Sequence, residues 1–301
     1  MLELVFVIVI MGIIGTVGAK VLSNIYEAYT SSHINNRLQI ETELALQQIA
    51  NRLQYRFKDS VIVRGGLGAA FVGLSSAPAG AYTVVEWVGY DIDGWLGRWD
   101  GAANMPAWSG FLDLDAGNAN LLVTPGSDTG VMNAIIADAR PLGSGTTLAN
   151  AAIFFTGANT DIQNGYGWDA NPLTTQNDVA AHRINAGGAA NTFVPDPATA
   201  DFTGTDVYEQ YKLAWTAYGL EVDDVDGDGE NELILYYDYQ PWEGVVASRN
   251  VPWQILADKV ATFQVMAVGD VLKVQLCLDN NTNGAVPANQ VYAVCKEKVI
   301  F

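Results

Sequence analysis

The chain opens on a block without charge. In "MLELVFVIVIMGIIGTVGAK" no ionisable residue stands between Glu3 and Lys20. The pattern then changes without a break. Residues 34–57, "INNRLQIETELALQQIANRLQYRF", place Ile34, Leu38, Leu46, Ile49, Leu53 and Phe57 at helical spacings, one apolar stripe on an otherwise polar cylinder. Tyr26 to Ser32 holds no Pro or Gly. Residues 1–57 are therefore expected to form one long helix: 1–22 apolar all round, 23–57 amphipathic. Residues 58–301 are expected to form a β-rich globular domain. Within it, 58–210 reads as a loop-rich insertion with scattered strands, "AYTVVEWVGY" (81–90) the clearest. Residues 211–301 read as a C-terminal sheet, with "KLAWTAYGLEV" and "ELILYYDY" as strands of one hairpin and the last thirty or so residues as another. The expected fold class is α+β: a long N-terminal helix packed by its second half on an antiparallel sheet, the shape of a ladle.

Composition narrows the function. Half the residues are hydrophobic, which excludes a disordered chain, and 33 acidic against 15 basic residues give a net charge of -18. That balance argues against nucleic acid or anionic headgroups as a main partner, since both require a basic footprint. No enzyme is expected. The two histidines are His33 on the helix and His182, read as a solvated loop residue; no nucleophile elbow, P-loop or complete dinucleotide fingerprint is present. "GGLGAA" (65–70) reads as a flexible turn. "DIDGW" (91–95) and "DLDAGNAN" (113–120) space their oxygens but lack a full ligand set, so turns are the better reading. Trp87, Trp95, Trp99, Trp108 and Trp168 are expected to anchor loops by packing.

Three roles compete for residues 1–22. A secretory signal peptide starts with positive charge, whereas this chain starts Met-Leu-Glu. A buried helix needs apolar partners all round. A membrane-spanning helix needs about 20 apolar residues, and the segment supplies them if Lys20 snorkels; this third reading fits best. Gly12 and Gly15, with Gly18, recur along one face, where small residues let neighbouring membrane helices approach.

The opening "MLELVFVIVIMGIIG" resembles the N-terminus of type IV pilins and pseudopilins. Their mature chains begin with a Phe-Thr-type pair, two apolar residues, a Glu and a long apolar helix. The resemblance places the family's acid on Glu3 and implies that two further residues precede Met1. It also implies a partner for Glu3, the N-terminal amine of a neighbouring copy inside a filament. An unpaired carboxylate in apolar surroundings is costly, so such a partner is physically reasonable. For Gly12 and Gly15 the resemblance implies local loss of helicity and an extensible filament.

"LEVDDVDGDGENELILYYDY" (220–239) carries the strongest local motif. Asp224, Asp226 and Asp228 alternate, Gly229 follows, and Glu232 comes three residues later. This begins like an EF-hand loop, but position 12 is Leu235, so the EF-hand is excluded. The stretch more closely resembles the shorter D-x-D-x-D-G-x-x-[DE] calcium loops of integrin-type repeats, in which Glu230 would give its backbone carbonyl and Glu232 its carboxylate. A structural calcium ion is expected here, favoured over magnesium by the high ligand number. Cys277 and Cys295, the only cysteines, are expected to pair, closing a loop whose cross-link stabilises by roughly 3 kcal/mol in chain-entropy terms.

Together these readings lead to a filament subunit. Copies of the chain would assemble through the apolar half-helix, drawn from an inner-membrane pool and exported to the bacterial cell surface. The resemblance also implies a prepilin peptidase and an assembly machinery as partners. A minor or tip pseudopilin of a secretion system and a membrane-anchored binding module that never polymerises are the alternatives.

Overall fold

The structure, a computed structural model, describes residues 2–77, 82–99, 104–158, 161–196, 201–269, 271–281 and 291–301; side chains are described from residue 6 onward and exclude those of 99 and 104. Helix α1 runs Leu2–Leu53, 52 residues. It ends a few residues short of position 57, where Tyr55 and Arg56 donate their amides back only three residues, to Arg52 and Leu53, and tighten the last turn. Phe57 then donates to the Val88 carbonyl, which ties the helix end to the sheet. The stripe falls where the spacing put it: Leu38, Leu46, Ile49 and Leu53 are buried, each worth roughly 1.5–3 kcal/mol of burial, and Ile34 is partly covered. Apolar side chains from Phe6 to Tyr29 are exposed throughout.

The expected α+β ladle with one sheet is overturned. The chain is mostly β, with every strand pair antiparallel, and its described strands fall into two six-stranded sheets, one three-stranded sheet and one ribbon. The central sheet runs in the order Trp253–Ala257 (β14), Glu232–Tyr239 (β13), Thr216–Asp223 (β12), Val84–Gly89 (β3), Ile62–Arg64 (β1) and Phe71–Gly73 (β2). A second sheet runs Tyr211–Ala214 (β11), Ala152–Phe155 (β8), His182–Ala186 (β9), Thr192–Pro195 (β10), Leu121–Val123 (β7) and Asp113–Asn118 (β6). The third comprises Val260–Val268 (β15), Val271–Asp279 (β16) and Ala293–Ile300 (β17). Arg98–Trp99 (β4) and Asn104–Met105 (β5) form the ribbon, and two short helices, Ile92–Leu96 (α2) and Thr129–Ala139 (α3), complete the set. Helix α1 is thus a single appendage on a β molecule rather than one half of an α+β pair. The central sheet draws strands from both the 58–210 and the 211–301 segments.

Alternation along the strands shows why so many residues are buried. In β13, Leu233 and Leu235 join the cluster under α1 and the third sheet, whereas Ile234 and Tyr236 face the opposite cluster with Trp168 and Trp242. In β8, Ala152 and Phe154 face that same middle cluster, and Ile153 and Phe155 turn to a third one with Met132 and Ile136 of α3. The inner strands β13 and β8 are therefore covered on both faces, whereas the edge strands β14 and β6 stay largely exposed. A buried Arg64–Glu86 pair, Nε to Oε1 at 2.6 Å, crosses the middle layer. Arg64 also donates to the carbonyls of Ala69 and Trp168, and Glu86 accepts from the Tyr239 hydroxyl, so both charges are hydrogen-bonded.

The third sheet carries α1. Lys296 of β17 pairs with Glu43 at 2.8 Å, Lys298 donates to Gln47, and Cys277 and Cys295 stand directly opposite in β16 and β17, joined as a disulfide. The turn sequence "NTNG" lies mostly outside the described residues, beyond Asn281.

Candidate functional site

The acidic loop closes the β12–β13 hairpin. Branched and aromatic residues pair down both strands to the final rung, Asp223 opposite Glu232. Beyond that rung the chain turns on Gly227 and Gly229, with φ of 76° and 86°, a left-handed conformation in which glycine is unstrained. The carboxylates organise the turn by accepting backbone amides. Asp224 takes those of Gly227 and Gly229 at 2.8 and 2.9 Å, Asp226 that of Asp228, Asp228 that of Glu230, and Glu232 that of Val225. Each accepts at least one backbone amide, and a carboxylate has about four lone-pair sites in all.

One carboxylate oxygen from each of Asp224, Asp226, Asp228 and Glu232 lies within 4.8 Å of all the others. Four carboxylates so close repel each other, and Glu232 is also buried. Burial first, then the charges of Asp226, Asp224 and Asp228, push the Glu232 carboxyl above its ordinary range. These four residues can hold a metal ion, and an all-oxygen donor set suits a hard cation. The Glu230 carboxylate is directed elsewhere, with Oε2 3.3 Å from Lys259 Nζ.

The other predicted positions lie on α1. Glu3 is in its first turn, with its side chain outside the described set. At Gly12 and Gly15, as at Gly18, an added Cβ would meet nothing within 4 Å, so no contact inside the chain requires glycine there. The helix is long enough, and over an 18-residue window near its N-terminal end apolar enough, to serve as a membrane anchor or a signal sequence, and none of that window is buried.

His182 is placed differently from expectation. It is not a solvated loop residue but part of β9, 2% exposed, with its ring 4.6 Å from that of Phe155. Burial pushes its imidazole down to about 4, so it stays neutral. Asp91 of "DIDGW" caps α2 by accepting from the Gly94 amide, and Asp113 of "DLDAGNAN" accepts from Asp115 and Ala116, so both stretches use their acids for local hydrogen bonds. Of the five tryptophans expected to pack, Trp87, Trp108 and Trp168 are buried, the Trp99 side chain lies outside the described set, and Trp95 is 44% exposed. Trp95 also borders an open cleft that the sequence reading missed; the crowding of tryptophans between positions 87 and 108 is the one signal that could have found it.

No protein-family model matches the chain, and neither a curated protein nor a solved structure does.

Proposed function

We propose that this chain is the structural subunit of an extracellular type IV pilus-like filament. The observation that carries the reading is the division of α1. From Ile34 onward its stripe is buried against the sheets, whereas every described apolar side chain from Phe6 to Tyr29 lies bare. A bare apolar helix in water is unfavourable at roughly 25 cal/mol per Å², so lipid or other copies must cover it. Before assembly the cover is the inner membrane, and in the filament it is the same segment of neighbouring copies. Gly12 and Gly15, which serve no contact within the chain, then allow close approach between helices. Glu3 is the charge that selects a polymer end offering an amine over plain lipid. Processing and export fall to a prepilin peptidase and an assembly machinery.

The metal of the β12–β13 loop, in this reading, is calcium held for structure. Three aspartates and a glutamate on a flexible loop match the higher coordination number and looser geometry of calcium better than the strict octahedron of magnesium. The Glu230 carbonyl adds an oxygen.

The filament reading is tested by electron microscopy of material sheared from cells producing the chain. Abundant filaments containing it are expected, and Glu3→Ala is expected to reduce their yield about tenfold or more while the chain still accumulates in the membrane fraction. Normal filament yield from Glu3→Ala would remove the assembly role of that charge. A chain that stays in the membrane and never polymerises would be an anchored binding module instead.

A further inference from the structure

Near the residues that end α1, a cleft of about 420 Å³ opens between α2, the segment 108–111 and the start of β11, within the size range of small-molecule sites. Its floor is Trp108 and Tyr211, both buried, with ring centroids 5.9 Å apart. Its walls are Trp95 and Phe111, 44% and 42% exposed. Trp95 leans on Trp108 at 4.9 Å. Gly110, at φ 71°, lets the chain pass between them; a Cβ there would stand 3.2 Å from both the Trp95 ring and the Tyr211 carbonyl. Trp108 is fixed from behind, its indole N–H donating to the carbonyl and Oδ2 of Asp91 at 3.2 Å. The aromatic surface is thus built in place rather than loosely exposed.

The polar groups of the cleft have a different character from the rest of the molecule. None of its lining residues is acidic, although the chain carries 33 acids. Its one charge is Lys212, whose ammonium sits 4.6 Å from the Tyr90 ring centroid and forms no ion pair among the described residues. The exposed side chains of Gln210 and Thr156 also stand at the rim without hydrogen-bond partners among the described residues.

We propose that this cleft binds a carboxylate-bearing saccharide, the pyranose face stacked on Trp95 and its acid at Lys212. Exposed aromatic faces suit the C–H face of a sugar ring, and an amide with a hydroxyl suits its hydroxyl groups. A purely apolar ligand would make no use of the Lys212 ammonium or of the rim groups of Gln210 and Thr156. Nucleic acid carries a phosphate at every nucleotide and needs a run of basic side chains, whereas Lys212 is the one charged residue lining this cleft. Partial desolvation beside the Tyr90 ring, then the nearby Lys58, holds the Lys212 ammonium below its ordinary range, a cost that a bound carboxylate relieves. This inference stands whether or not the chain polymerises.

The test is titration calorimetry of the full chain in detergent with a hexuronate tetramer and with a neutral hexose tetramer. The hexuronate is expected to bind and to change tryptophan fluorescence. Trp95→Ala is expected to weaken it about tenfold or more, with an unchanged melting temperature, and Lys212→Met to bring it down to the level of the neutral tetramer. Lys212→Met decides the matter alone if Trp95→Ala fails to fold, since Lys212 is an exposed side chain. Absence of hexuronate binding, equal binding by these variants, or equally tight binding of the neutral tetramer overturns the proposal. So does self-association that Trp95→Ala abolishes without any saccharide binding, which would make the cleft a contact for a second copy.

Discussion

A carboxylate at position 91 is surrounded by two indoles, and its environment decides its charge. Asp91 is 4% exposed and accepts from the Gly94 amide at 3.0 Å, from Trp108 at 3.2 Å and from Trp215 at 3.4 Å. Burial outweighs those three donors and pushes the carboxyl up to about 6. The folded chain therefore holds a proton that the unfolded chain has released. The stability this contributes is complete below the ordinary carboxylate value and is lost as pH rises through about 6. Asp91→Asn cannot titrate. Compared with the variant, the wild type is expected to lose on the order of 2–3 kcal/mol of unfolding free energy between about pH 4 and pH 7, read from urea denaturation at both. A pH-independent offset between the two proteins would contradict this. Nothing in "DIDGW" itself announces the effect. The local sequence reads as a turn, and the α2 cap is local, but the burial comes from indoles 17 and 124 positions away. Trp95 is the converse: its residue type suggests core, and only the tertiary placement of Gly110 and Phe111 leaves its face open.

Among the elements, the β12–β13 hairpin is the one whose chemistry lay nearest the surface of the sequence. Its strands are runs of aromatic and branched residues, and its loop repeats an acid at every second position before a glycine that must take φ of 86°. Clustering of four carboxylates within 4.8 Å leaves a repulsion that a divalent ion removes. Calcium at about a hundred times its dissociation constant is expected to raise the melting temperature by roughly 5–10 °C. Asp226→Ala is expected to abolish that shift, because the Asp226 side chain accepts only the Asp228 amide and is otherwise free for the ion. An equal shift in both proteins, followed by scanning calorimetry, would sink the site. Helix α1 was equally legible, because one stripe repeated at 3.6-residue spacing survives any tertiary context. The second six-stranded sheet was not. Its strands run from three to six residues, and β8, "AIFF", is buried on both faces, so it shows no alternation that marks a strand. Segments of that length, set among Gly, Ala and Asn, read as loop until their partners are known. That is how a mostly β molecule came to be expected as α+β.

At the scale of the whole molecule, the three buried clusters and the bare half of α1 belong to different phases. The clusters draw on residues from Ile34 to Ile300, and among the described residues none before Ile34 takes part in them. The buried Leu38 and the ion pair between Lys296 and Glu43 lie beyond the segment in which every described side chain is exposed, residues 6–30. Fold stability and association are therefore separable along one helix. Deleting residues through about 29 removes no buried contact among the described residues, although it shortens a helix whose remaining part is held by tertiary packing rather than by its own propensity. The shortened chain is expected to melt within about 2 °C of the full chain in the same detergent and to run as a monomer in water. The full chain is expected to require detergent or lipid and to associate once these are withdrawn. Analytical ultracentrifugation with a matched thermal melt reads both halves of this expectation. A large fall in melting temperature on truncation would mean that the apolar segment supports the fold, and monomeric full chain in plain buffer would mean that its bare face needs no cover.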